Sequence, residues 1–249
     1  MAETPMRILF VVAHPDDIEF GAGGSVAVWA GEGAQITYCI VTDGGAGSNK
    51  PGEDLAQLVK TRQAEQIAAA KVVGVQDVRF MGYKDGTLQH TLELRRDITR
   101  LIRELRPYRV VITDPTMVFA GNFYINHPDH RAAAEAALYA VFPSAGTRPI
   151  FPELLAEGYE PHEVSELYTQ FTDKPDVIVD ISAVIDLKIQ SLLCHKSQVG
   201  PEVDKMIREW DAELGKDKGF AFAEGFRVMK LKQDETQEQV AGEAPVPAE

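Results

Sequence analysis

Cysteine, long apolar runs and basic residues are all scarce in this sequence. Its 249 residues include two cysteines, Cys39 and Cys194, both within apolar segments, so we predict two buried thiols rather than a disulfide framework. The apolar stretch from Ile8 to Ala13 is too short for the core of a signal peptide, and no segment approaches the roughly 18 apolar residues of a membrane span. We therefore expect a cytoplasmic protein that makes no membrane contact.

Positive charge is outnumbered: 25 lysines and arginines stand against 38 acidic residues, which gives a formal net charge of −13. Proteins bind nucleic acids largely by neutralising phosphates with lysine and arginine, so we expect no nucleic-acid partner. Part of the acidic excess lies beyond residue 232, where the chain is polar and contains proline. This composition predicts a single domain over residues 1–232 and an acidic disordered tail over residues 233–249.

Apolar runs that suit buried strands alternate with segments of helical periodicity. The first half predicts strands at 7–13, 35–41, 78–81 and 109–113, separated by helices that end near residues 29, 73 and 106. This alternation is typical of an α/β fold, in which helices cover both faces of a mostly parallel sheet. The second half predicts strands at 164–171 and 177–181, an irregular stretch at 143–161, and helices at 129–141, 182–195 (capped by Ser182) and 201–214.

Dense polar groups follow the predicted strands, where an open α/β sheet places its functional site. His14 and Asp17 follow the first strand, and His130 follows the fourth. A catalytic zinc site needs three nitrogen or oxygen ligands and an open position. Taken alone, His14 with Asp17 is compatible with a helix cap, and the segment of His130 is compatible with chance. Their joint position at two strand ends favours these three residues as ligands of one divalent metal ion.

Neighbouring residues suit hydrolysis by metal-activated water. Asp16 lies between two of the predicted ligands and suits a general base. His127 suits an electrophile or acid toward an oxyanion, and Asp129 suits a residue that orients a histidine through its second ring nitrogen. Asp43 is compatible with a turn as well as with a functional site. The spacing of Arg62 from an acidic residue in the same predicted helix by itself predicts a surface ion pair.

Two other classes of protein share parts of this pattern. Two histidines and one carboxylate also form the triad of non-haem Fe(II) oxygenases, although those sites usually lie on all-β folds. A non-enzymatic metal-binding module is a further alternative, but it has no need of Asp16 or His127. An acid beside the ligands favours hydrolysis over both.

Five segments resemble the LmbE-like / PIG-L family of zinc-dependent de-N-acetylases. They are AHPDDIEFGAGG (13–24), TDGGAGS (42–48), RQAEQIAAA (62–70), HPDH (127–130) and LLCHKSQ (192–198). The resemblance covers roughly residues 7–198. It implies a Rossmann-like fold, one zinc ion per subunit, and removal of an acetyl group from an N-acetylglucosamine-type substrate. It further implies a homo-oligomer, a trimer or hexamer; the ligand types would also accept iron, cobalt or manganese.

The same resemblance implies a role for each matching residue. The implied metal ligands are His14, Asp17 and His130, and the implied catalytic residues are Asp16 as base, His127 as oxyanion stabiliser or acid, and Asp129 as its charge partner. The implied substrate-binding residues are Arg62, Asp43 and His195. Some relatives carry a tyrosine two residues before the first histidine of HPDH, where this chain has Ile125 beside Tyr124. An amidase acting on a larger or non-sugar amide is the alternative within the same chemistry.

Overall fold

A computed structural model describes residues 5–232, so the predicted tail lies outside the described residues. The first half consists of β1 (Arg7–Val12), α1 (Asp17–Gly31), β2 (Gln35–Thr42), α2 (Leu55–Val72), β3 (Asp77–Tyr83), α3 (Leu92–Leu105) and β4 (Arg109–Thr113). The second half consists of β5 (Phe119–Ala120), β6 (Tyr124–Ile125), α4 (Pro128–Tyr139), a kinked segment (Ala140–Ala145), α5 (Glu153–Ala156), β7 (Glu166–Gln170), β8 (Val177–Asp180), α6 (Ile185–Leu192), α7 (Val203–Lys216) and β9 (Ala223–Lys230).

Within these residues the main sheet has seven strands in the order β3-β2-β1-β4-β7-β9-β8. The first five strands of that order pair in parallel, and β9 runs antiparallel to both of its neighbours. Side chains of β1 alternate between two cores. Leu9 and Val11 pack with α3 and α4 on one face, whereas Phe10 and Val12 pack with α1 on the other. The predicted α/β fold with helices on both faces is confirmed.

Strand register brings four loops to one edge of the sheet. Val12 of β1 lies opposite Ile40 of β2, and Val11 lies opposite Ile112 of β4. The end of β2 in turn lies beside the end of β3. The chain segments that leave β1, β2, β3 and β4 therefore start side by side, which places the polar residues after them within reach of one another.

Several local predictions were wrong. Ser182 does not cap α6, which begins at Ile185, because its hydroxyl donates to Asp180 Oδ1 at 2.5 Å instead. The thiol of Cys194 is only partly buried, unlike that of Cys39. Strand β9 and the β5–β6 hairpin escaped prediction because neither has a clear apolar pattern. No helix among residues 5–232 is long and apolar enough to cross a membrane.

A buried ion cluster joins the last elements to α1. The ammonium of Lys188, on α6, lies 2.8 Å from Asp211 Oδ2 on α7 and 2.8 Å from Glu224 Oε1 on β9. The Glu224 carboxylate also accepts the backbone N–H groups of Gly24 and Ser25. One cation thus compensates two carboxylates that the fold has removed from water.

Replacing Lys188 by methionine should lower the free energy of unfolding by about 3–5 kcal/mol, because the two carboxylates are left buried without a counter-charge. Chemical denaturation measures this loss. The matched control is Lys205→Met, since the Lys205 side chain is 83% exposed and its pair with Glu209 is a surface pair. A loss for Lys188→Met as small as the control's would show that the cluster does not stabilise the fold.

Candidate metal centre and active site

Three predicted ligands converge at the sheet edge. His14 Nδ1 lies 3.7 Å from Asp17 Oδ2, and His130 Nε2 lies 3.1 Å from His14 Nδ1 and 3.0 Å from Asp17 Oδ1. One ligand atom from each residue lies within 4.8 Å of the others. The turn itself is held by the backbone N–H of His14, which donates to Asp17 Oδ2 at 2.9 Å. The spacing of three in the sequence therefore does bring both side chains to one point.

The outer nitrogen of each imidazole ring lies close to a side-chain oxygen. His14 Nε2 lies 3.0 Å from Asp85 Oδ1 and 3.5 Å from Asp129 Oδ2, and His130 Nδ1 lies 2.9 Å from Asn126 Oδ1. Protons on these outer nitrogens leave the inner nitrogens with lone pairs that face each other and a carboxylate. Lone pairs that face one another in this way are stable when a cation lies between them, so the residues fit a divalent metal ion.

The buried carboxylates around the cluster also favour positive charge at its centre. Burial lowers the pKa of His14, but hydrogen bonds to three surrounding carboxylates outweigh burial and raise it to about 12. These carboxylates are Asp129, Asp17 and Asp85. Burial likewise lowers the pKa of His130, and the charge of Asp17 raises it above its usual value. Protons or a metal ion must compensate this concentration of negative charge.

Asp85 and Asn126 belong to the centre although neither was predicted from the sequence. Burial raises the pKa of Asp85, but its contact with His14 outweighs burial and lowers the pKa to about 2. Asn126 orients the His130 ring and donates from its amide to the carbonyl of Met117 at 2.8 Å. The Asp-Gly pair after β3 and the asparagine just before HPDH were the available signals, and both also fit ordinary turns.

Asp129 lies against a different histidine from the one expected. Its carboxylate accepts the backbone N–H groups of Gly86 and Leu88 at 2.7 and 3.1 Å, and these hold it facing His14. Its own backbone N–H donates to His127 Nδ1 at 3.2 Å. The structure therefore places Asp129 as a partner of His14, and its contact with His127 comes from the backbone.

His127 is the N-cap of α4 and lines the cleft beside the three predicted metal ligands. Because its Nδ1 accepts the N–H of Asp129, the proton of the neutral ring lies on Nε2. Burial and the nearby charge of His14 lower the pKa of His127. A neutral ring that carries its proton on Nε2 is suited to donating a hydrogen bond to a developing oxyanion.

Asp16 stands in the left-handed backbone region, with φ of 95°, a conformation that costs a non-glycine residue about 1–3 kcal/mol. Two side chains from α2 hold it there. Arg62 Nη2 donates to Asp16 Oδ2 at 3.2 Å and to the Pro15 carbonyl at 2.9 Å, and Gln66 Oε1 accepts the Asp16 N–H at 2.9 Å. Burial and the charge of Asp17 raise the pKa of Asp16 to about 6 despite Arg62. This value suits a proton acceptor near neutral pH.

The three residues expected to contact substrate have different surroundings. Arg62 lines the cleft, but its guanidinium is bound to Asp16 and to backbone carbonyls. Asp43 accepts the N–H groups of Gly45 and Asp85 and is not among the cleft-lining residues. His195 is fully buried behind the cleft. Asp43 therefore shapes a turn, and His195 does not reach the cleft surface.

A cleft of about 890 Å³ opens over the cluster of His14, Asp17 and His130. Its floor carries the acidic and imidazole groups, and its rim is aromatic. Residues of that rim include Phe119, Phe123 and Tyr124 of the β5–β6 hairpin, Phe171, and Trp210 of α7. Phe123 is 90% exposed and Trp210 is 56% exposed. The site therefore combines a polar reaction centre with apolar side chains available to a ligand.

Residues 9–141 match the PIG-L family model, described as GlcNAc-PI de-N-acetylase. The chain belongs to this family. The segments HPDD (14–17) and HPDH (127–130) lie within the matched range and contain the three clustered residues His14, Asp17 and His130.

Known relatives extend the match beyond that segment. The diacetylchitobiose deacetylase of Thermococcus kodakarensis is 31% identical, over 90% of this chain and 83% of its own. A probable N-acetyl-α-D-glucosaminyl L-malate deacetylase 2 of Bacillus anthracis is 29% identical, over 82% of this chain and 87% of its own. The structure of N,N'-diacetylchitobiose deacetylase from Pyrococcus horikoshii superposes with a TM-score of 0.83 at 28% identity, covering 90% of this chain and 84% of that one. This PIG-L family member thus shares nearly its whole fold with deacetylases.

Proposed function

We propose that this PIG-L family protein is a zinc-dependent de-N-acetylase that hydrolyses the acetamido group of uncharged N-acetylglucosamine-type glycosides. The observation that carries the proposal is the convergence of His14, Asp17 and His130 with a proton acceptor, Asp16, beside them in one cleft. Similarity to deacetylases of N-acetylated sugars supports the substrate class.

Zinc is the proposed metal because two imidazole nitrogens and one carboxylate form a typical catalytic zinc set, although such ligands also accept iron, cobalt or manganese. When bound by His14, Asp17 and His130, the ion supplies Lewis acidity that activates water and polarises a carbonyl group. The α/β fold and the acid beside the ligands argue against an oxygenase, and the presence of Asp16 argues against a purely structural site.

Side chains of this protein accept and donate the protons of the reaction. Asp16 accepts a proton from the attacking water, and its pKa of about 6 lets it release that proton again near neutral pH. His127 donates a hydrogen bond from Nε2 to the oxyanion that develops on the amide oxygen. Asp16, which has accepted a proton from the water, then donates it to the leaving amine.

The charges of the cleft favour an uncharged substrate. Among the described residues that line it, Arg62 is the only lysine or arginine, and its guanidinium is already bound to Asp16 and backbone. Asp173 adds a carboxylate at the aromatic end. An anionic group on the sugar, such as malate, would meet the charge of Asp173 at that end, with no free lysine or arginine side chain among the described lining residues to compensate it. An aromatic rim instead suits the apolar face of a second sugar ring or a neutral aglycone.

Acetate release from a panel of N-acetylglucosaminides tests this proposal. We expect kcat/KM for N,N'-diacetylchitobiose to exceed that for N-acetylglucosaminyl malate at least about fivefold, because like charges about 4 Å apart repel by ~1 kcal/mol in water and by more where water is excluded. The dimethyl ester of the malate conjugate is the control, since it has the same shape without the charge. Equal rates for malate and its ester would contradict the charge argument, and no release from any sugar would favour an amidase of larger amides.

The remaining proposals concern the setting of the enzyme. We propose that it acts in the cytoplasm on a small diffusible sugar derivative, as a homotrimer or homohexamer, with no nucleic-acid or membrane partner. The formal net charge of −13 supports the lack of a nucleic-acid partner.

A further inference from the structure

A chain of buried hydrogen bonds runs from the proposed base, Asp16, through Gln66 and Glu19 to His195. The Asp16 N–H donates to Gln66 Oε1 at 2.9 Å. Gln66 Nε2 donates to Glu19 Oε1 at 2.8 Å, and Glu19 Oε2 lies 3.3 Å from His195 Nε2. Gln66, Glu19 and His195 are each fully buried.

All of these hydrogen bonds form together with only one orientation of the Gln66 side-chain amide. Gln66 must present its carbonyl oxygen to the backbone N–H and its amide nitrogen to Glu19, so the carboxylate of Glu19 decides which way the amide faces. His195 in turn donates to the second oxygen of Glu19, and among residues 5–232 its other ring nitrogen has no hydrogen-bond partner. The His195 ring therefore contacts Glu19 and does not line the cleft.

We infer that Gln66, Glu19 and His195 are positioning residues that hold Asp16 in its left-handed conformation and so aim its carboxylate at the reaction centre. The inference rests on the proposed function, in which Asp16 is the base. It also assigns a role to His195 other than substrate contact. Arg62, one helical turn before Gln66 on α2, holds the Asp16 carboxylate while Gln66 holds its backbone.

The test exchanges the two ends of the Gln66–Glu19 contact. In Gln66→Glu, two carboxylates face each other and the relay breaks, so we expect kcat to fall about 10–100-fold, because small displacements of a catalytic group have effects of this size. KM should change by less than about threefold, since the substrate contacts remain. In the double variant Gln66→Glu/Glu19→Gln, the new glutamine donates to residue 66 and accepts from His195, so most of the lost kcat should return.

Gln57→Glu is the matched control, because Gln57 is an exposed glutamine on the same helix; its kcat should equal that of the wild type. Zinc content is measured for every variant, so that a loss of metal is not mistaken for misplacement of the base. A double variant as slow as Gln66→Glu, with full zinc content, would overturn the relay.

Amide hydrogen exchange of the Asp16 N–H supplies a readout that needs no activity. Protection should be high in the wild type, lower in Gln66→Glu, where repulsion from Glu19 displaces the oxygen that accepts this N–H, and restored in the double variant. Equal protection in all three proteins would overturn the relay. If the wild type releases no acetate but shows this pattern, the proposed function fails while the relay stands.

Discussion

Replacing Asp16 by asparagine is expected to lower kcat by a factor of about 10²–10⁴, the usual contribution of a general acid–base group. Asparagine has nearly the same shape, tolerates the left-handed backbone region, and keeps an oxygen for Arg62. It lacks the basicity needed to accept a proton from water. Steady-state acetate release from N,N'-diacetylchitobiose measures the effect, and KM should change little because the change acts on the transition state.

Asp173→Asn is the control for that experiment, since Asp173 is a second, exposed carboxylate of the same cleft. Its kcat for the neutral disaccharide should remain close to that of the wild type. Zinc content must be equal in all three proteins, because Asp16 neighbours the ligand Asp17. A fully loaded Asp16→Asn enzyme with kcat within about threefold of the wild type would exclude Asp16 as the base.

Removing one ligand is expected to abolish both metal binding and activity. His130→Ala leaves His14 and Asp17, which are too few for tight binding at a catalytic site, so zinc content after dialysis should fall far below one per chain. Acetate release should fall to the level of chelator-treated wild type, and added zinc should restore only the wild type. Elemental analysis and activity measured on the same samples test both parts.

Two further variants calibrate the result for His130. Asn126→Ala removes the acceptor that orients the His130 ring, so zinc affinity should fall about 10–100-fold without complete loss. His90→Ala changes a histidine near Glu135, outside the cleft lining, and should retain full zinc and activity. Stoichiometric zinc in His130→Ala would show that the ion is held elsewhere.

The sequence was sufficient to predict the parallel part of the sheet and the proximity of His14, Asp17 and His130. Buried apolar runs specify parallel strands, and parallel strands bring their carboxyl ends to one edge. His14, Asp17 and His130 lie immediately after such ends, so their proximity follows from the topology. The partners of these residues depend on how loops fold over that edge, which local patterns do not specify.

Asp129 illustrates that limit. Its position beside the ligands was predictable, but the histidine it faces is decided by the Gly86 and Leu88 N–H groups, which belong to a loop 41–43 residues away in the sequence. Asp85 was missed for the same reason, because an Asp-Gly pair after a strand reads as a turn. His195 lies far from Asp16 in sequence and is connected to it by buried hydrogen bonds through Glu19 and Gln66. No periodicity in the sequence reveals such a connection.

Titration of chelator-stripped protein with zinc, followed by acetate release from N,N'-diacetylchitobiose, tests the central claim most directly. If His14, Asp17 and His130 hold one catalytic ion, the rate should rise linearly and level off at about one equivalent of zinc per chain, in keeping with a single three-ligand site. One free amine should appear for each acetate released. Activity that is unchanged by stripping, or absent when one equivalent of zinc is bound, would contradict a zinc-dependent deacetylase at this site.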